Sequence, residues 1–126
     1  MKHLCRKVIA PGLLLFLALG LGCSRSSAPP TPLTAEELPG VLEKAFSTAK
    51  PPAKEQATQI VTAVQAKDYS KAFWGIQTLA GVTGLSKEQV KVTARATLTI
   101  SSLLQSAQAE GDQKAAATIK TYRENK

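Results

Sequence analysis

The sequence predicts an all-α protein, a small bundle of about five helices that follows an export signal and a proline- and serine-rich tether. Three observations carry that expectation. Apolar residues recur at three-to-four spacing in successive segments after residue 33. Those segments open on capping residues or proline, and three of the five close near glycine or proline. No run of alternating β-branched residues is long enough to argue for a strand. The chain divides into a signal (1–22), a cysteine with its tether (23–33) and a helical domain (34–126).

The signal comes first. Lys2, Arg6 and Lys7 precede an uncharged apolar run, Val8 to Leu21, the charged-then-apolar layout of an export signal. A membrane-spanning helix needs about 17 to 25 apolar residues. This run has 14 and carries Pro11 and Gly12, so it fits a processed signal better than a permanent anchor. Removing the first 22 of the 126 residues leaves 104, enough for one modest core, and thirteen basic residues against nine acidic ones. The mature body is therefore only mildly basic.

Thr34 with Glu37 makes a capping box that opens a first helix, expected to reach about Ala49 with Leu38, Val41, Leu42, Ala45 and Phe46 on one stripe. Pro51 and Pro52 break it and begin a second helix to about Ala66, whose stripe is Ala57, Ile60, Val61 and Val64. Asp68 caps a third helix, Tyr69 to Ala80, with a core face of Ala72, Phe73, Ile76, Leu79 and Ala80, and Gly81 and Gly84 stop it. Ser86 with Gln89 is a second capping box, opening the longest helix, to about Ala109 or Glu110. Its apolar residues fall on two faces: Val90, Ala94 and Leu98 on one, Val92, Ala96, Ile100, Leu103 and Ala107 on the other. A helix apolar on two sides lies between neighbours, which predicts this one at the bundle centre. Gly111 and Asp112 turn the chain into a last helix, Gln113 to Arg123, with Ala116, Ile119 and Tyr122 as contacts.

The cysteines are Cys5, inside the signal, and Cys23, at its end; the one histidine, His3, is also in the signal. The folded body therefore lacks an imidazole base, a Cys/His zinc site and a serine–histidine–aspartate triad. Its carboxylates sit at caps, turns and polar faces rather than in inward-facing pairs. No catalytic residue, metal or cofactor is assigned.

Leu19-Gly20-Leu21-Gly22-Cys23 resembles the lipobox of bacterial lipoproteins. The resemblance implies cleavage before Cys23, a diacylglyceryl thioether on its sulfur and acylation of the new N-terminus. The same residues also read as a small-x-small site, Gly20-Leu21-Gly22, for the general signal peptidase, which would release a soluble protein. The stretch after Cys23, SRSSAPPTP, lacks apolar periodicity and tends to be extended, as a spacer holding a domain off a membrane would be.

A shift of 43 positions aligns Gln65-Ala66 with Gln108-Ala109, Lys71-Ala72 with Lys114-Ala115 and Ile76 with Ile119. Residues 66–72, AKDYSKA, resemble the middle of a tetratricopeptide repeat, which implies helical hairpins. Stacked repeats need about three units to bury a continuous core, and at most two are present, so the expectation is a compact bundle.

Four side chains stand out as partner contacts: Trp74, Lys87, Lys91 and Arg95. The three cations recur every fourth residue, a stripe able to meet phosphate-rich lipid, cell-wall polymer or an acidic protein, or else simply a solvated face. Trp74 either packs on the Val41 and Phe46 stripe of the first helix or projects as an anchor for a partner. Ser47 and Lys50 have the serine-x-x-lysine spacing of penicillin-binding proteins, but the accompanying motifs are missing and a helix end before Pro51 explains them. Nucleic acid is disfavoured, because no basic cluster interleaves with aromatics and the chain carries an export signal. The expected function is a non-enzymatic interaction or scaffold module, held at the cell envelope by a lipid on Cys23. The alternative is a released periplasmic or extracellular binding protein or inhibitor.

Overall fold

A computed structural model describes residues 28–126; the signal, Cys23 and the first tether residues lie outside the described residues. Five helices follow in order: α1 (Glu37–Phe46), α2 (Pro51–Gln65), α3 (Tyr69–Ala80), α4 (Lys87–Ala109) and α5 (Gln113–Glu124). Among the described residues there is no strand. The all-α expectation holds.

Each helix starts where a side chain satisfies free N–H groups of the first turn or, at α2, where prolines remove them. The Thr34 N–H donates to Glu37 Oε2 at 3.0 Å while the Glu37 N–H donates to Thr34 Oγ1 at 3.1 Å, the two halves of a capping box. Pro39 falls in the first turn of α1, where proline is tolerated; it follows Leu38, whose N–H donates to the Thr34 carbonyl, and offers no N–H to the Ala35 carbonyl. Ser86 and Gln89 form the second capping box. After Phe46, rather than near Ala49, α1 gives way to i→i−3 turns, with the Ser47 N–H on the Lys44 carbonyl and the Ala49 N–H on the Phe46 carbonyl, and Lys50, which precedes Pro51, then turns extended at φ −66° and ψ 156°.

Two turns share one design. After α2, the Asp68 N–H donates to the Ala63 carbonyl and the Lys67 N–H to the Val64 carbonyl, with Lys67 left-handed at φ 58°. After α4, Asp112 pairs with Ala107 and Gly111 with Gln108, Gly111 being left-handed at φ 99°. Both are Schellman closures whose next residue, an aspartate, caps the following helix. The turns correspond at a spacing of 44, while the buried pairs Ala72 and Ala115, and Ile76 and Ile119, keep the spacing of 43 seen in the letters.

The core is one cluster built on Leu38, Leu42, Phe46, Ile60, Ile76, Leu79, Ile100 and Leu104. α2 and α3 meet at Gly75, where a Cβ would stand 2.8 Å from Ile60 Cγ1, so glycine is what lets these helices pack this closely. Ala80, expected in the core, is exposed at the last residue of α3.

The larger correction concerns α4. It touches α1, α3 and α5, but through a single broad face that includes Val92, Ala96, Ile100, Leu104 and Ala107. The second expected core face is outside: Val90 is 54% exposed and Leu98 42%. α2 does not cover it, because its own neighbours are α1 and α3. Among the described residues no further element packs there.

α1 runs antiparallel along α4, and polar side chains of α4 hold it in register. Gln89 Nε2 donates to the Ala45 carbonyl at 3.1 Å, and the buried Thr99 hydroxyl donates to the Leu33 carbonyl at 2.6 Å. Leu33, just before the capping box, is itself in the core at 5% exposure. Thr99→Val keeps the shape of the side chain but strips the buried Leu33 carbonyl of this donor. It is expected to cost about 1–3 kcal/mol in urea unfolding, whereas Lys91→Ala should change stability by less than about 0.5.

Candidate functional site

The basic stripe is divided by its surroundings. Lys87 and Lys91 are exposed, and neither takes part in an ion pair among the described residues. Arg95, one turn further, lies on the flank of α4 and is half-buried; its Nε donates to the Thr31 carbonyl at 2.8 Å. It also lies close enough to Glu37 to help depress that carboxyl below its ordinary range, after the larger effects of the Thr34 N–H and hydroxyl. Arg95 thus clips the end of the tether to α4, while Lys87 and Lys91 face solvent.

Trp74 is 41% exposed, and its ring neighbours are not on the first helix. It meets Phe73 edge to face at 5.4 Å and Tyr122 of α5 at 6.3 Å, while Phe73 and Tyr122 meet at 5.0 Å. Lys126 Nζ stands 5.4 Å from the Tyr122 ring centre, within cation–π range. The expectation that Trp74 packs on Val41 and Phe46 gives way to this cluster. The partnership with Tyr122 joins residues 48 positions apart and leaves no local trace in the sequence.

Two concave features border these groups. A cavity of about 690 Å³ lies where the α1–α2 and α3–α4 loops meet, with Ala49, Val82 and Leu85 along it and Lys50 as its one charged lining residue. A smaller one, about 230 Å³, lies against α4 and α5, with Phe73, Leu104, Ile119 and Tyr122 beneath and Arg123 and Lys126 at its rim. No carboxylate lines either. Ser47 and Lys50 form no reactive pair: the Ser47 hydroxyl donates to the Lys44 carbonyl at 3.0 Å, finishing α1. Among the described residues no three of His, Cys, Asp and Glu cluster as metal ligands would, and no helix is long and apolar enough to cross a membrane.

No protein family, curated protein or solved structure matches this chain.

The shorter of the two ion pairs among the described residues ties the two similar turns together. Lys114 Nζ reaches both oxygens of Asp68, at 3.0 and 2.9 Å, while Asp68 Oδ1 also accepts from the Lys71 N–H. The ammonium first, then that N–H, holds the Asp68 carboxyl below its ordinary value of 3.8. A carboxyl lowered in the folded state adds stability that is complete above its unfolded pKa and disappears as the pH falls through the folded one. Asp68→Ala should therefore cost about 1 kcal/mol at pH 7, chiefly as a lost helix cap, with little from the half-exposed ion pair. In urea unfolding the gap between wild type and variant should narrow steadily once the pH drops below 3.8.

Proposed function

We propose that this chain is an envelope lipoprotein: exported, cleaved before Cys23, held at a membrane by lipid on that sulfur, and acting as a non-enzymatic interaction or scaffold module. The observation that carries the reading is Cys23 itself, placed between a signal-like apolar run and a serine- and proline-rich tether. It is the one cysteine after residue 22. The bundle it would display has its tether end bound to α4 through Thr31 and Leu33, so a pull or a push at the N-terminus is passed to the longest helix. The absence of histidine and of any further thiol from residues 24–126 favours binding over catalysis. Its partner is a protein or an anionic envelope surface, met through the exposed cations of α4 and the Trp74 edge. The second reading, release as a soluble binding protein or inhibitor, rests on the small residues Gly20 and Gly22.

Replacing the sulfur tests the choice. Each buried methylene contributes about 0.8 kcal/mol to membrane binding, so losing two or three acyl chains should turn a stably bound protein into a soluble or unprocessed one. In detergent phase separation the wild type is expected in the detergent phase as the processed form, and Cys23→Ser either outside it or as a larger species that retains residues 1–22, with unchanged circular dichroism and melting of the helical domain. A wild type found in the aqueous phase would establish the released form instead.

A further inference from the structure

The outer side of α4 and the carboxyl end of α5 share a chemistry that the core-facing sides lack. On α4, Lys87, Val90, Lys91, Ala94 and Leu98 fall within one arc of about 100°, directly away from Ala96 and Ile100. Val90 and Leu98 are large aliphatic side chains standing in solvent. Ser101 and Gln105 continue this arc, and they also line the small cavity that Tyr122, Arg123 and Lys126 border on α5. Of the acids nearest in sequence, Glu124 pairs with Lys120 at 3.2 Å, while Glu88 lies outside the arc but one turn before Lys91, about 60° around α4 from it, and offsets part of that charge. The result is an aliphatic stripe edged by four cations.

Aliphatic side chains among cations, without a lining carboxylate, suit the headgroup region of an anionic bilayer: the former enter the acyl boundary while ammonium and guanidinium groups meet phosphates. The position of the tether selects this occupant over an acidic protein. Arg95, on the border of the same arc, holds the Thr31 carbonyl, and Cys23 is eight residues upstream, a reach of at most about 29 Å. On the lipid-anchor reading, which this inference rests on, the anchoring lipid lies within that reach of Thr31, beside the stripe. We infer that the face formed by Val90, Leu98, Lys87, Lys91, Arg123 and Lys126 lies on the anionic surface of the membrane that carries the anchor. Two aliphatic side chains and a few cations bind weakly by themselves. Next to an anchored Cys23 they act at the high effective concentration of a tethered site, which is enough to set the orientation of the bundle.

The test uses the processed protein purified from membranes, carrying Leu98→Cys or, as a control on α2, Gln59→Cys, each labelled with a polarity-sensitive thiol probe. It is reconstituted in vesicles of phosphatidylcholine with or without phosphatidylglycerol. The probe at 98 should shift to the blue in the anionic vesicles only, the probe at 59 in neither. Adding Lys87→Glu and Lys91→Glu should weaken the response several-fold. No shift at 98 in anionic vesicles, an equal shift at 59, or an equal shift without phosphatidylglycerol would overturn the proposal and leave the face to a protein partner. The anchor is judged separately: if the wild type takes up the probe, Cys23 is a free thiol and the anchor reading fails. The face is then decided by the same Leu98 readout in Cys23→Ser with vesicles added in excess.

Discussion

The register of α1 against α4 is the constraint on which the rest of the molecule depends. Gln89, Arg95 and Thr99 each reach a backbone carbonyl on or just before α1: Ala45, Thr31 and Leu33. A one-residue slip of either helix would break all three bonds and turn Leu38 and Leu42 away from the core. A short helix of ten residues has little stability of its own, so burial of Leu38, Leu42 and Phe46, together with this lateral fastening, holds it formed. With α1 fixed, Pro51 and Pro52 start α2 directly, and the Gly75–Ile60 approach seats α3 on α2. α3 then closes on α4, completing a ring of contacts α1–α2–α3–α4, with α5 added across α3 and α4.

That order explains which parts could be read from the letters. Helix starts were legible because a cap is a local event: Thr34 with Glu37, Asp68, and Ser86 with Gln89 each solve the first-turn problem within four residues. The left-handed turn at Gly111 is equally local, whereas its counterpart uses Lys67, a residue whose type carries no turn signal. The core faces of α1, α2 and α3 follow from a single apolar stripe each.

What was illegible depends on which helix covers which. Val90 and Leu98 repeat at helical spacing as well as Ala96 and Ile100 do, and periodicity alone assigns both sets to a core. Only the arrangement of the five helices shows that one set has no neighbour among the described residues. Trp74 illustrates the same limit, since its Tyr122 neighbour comes from the far end of the chain. Arg95 was legible as a member of a basic stripe but not as a clip, because its acceptor is a backbone carbonyl of the tether, which has no side-chain signature. The cavity beside Lys50 arises where two loops meet, and neither loop carries a pattern that announces it.

These features make a coherent account of an anchored module. The tether ends in two hydrogen bonds to α4 rather than running freely into α1, and the same helix presents its cations and aliphatic side chains just beyond that attachment. Anchor, attachment and exposed face are then parts of one arrangement, provided that Cys23 carries lipid. The most direct measurement is intact and peptide mass spectrometry of the protein extracted from membranes. The account predicts an N-terminal peptide that begins at Cys23 and carries the mass of a diacylglyceryl thioether, with or without an amide-linked acyl chain. A peptide beginning at an unmodified Cys23, or one retaining Met1 to Gly22, would contradict it.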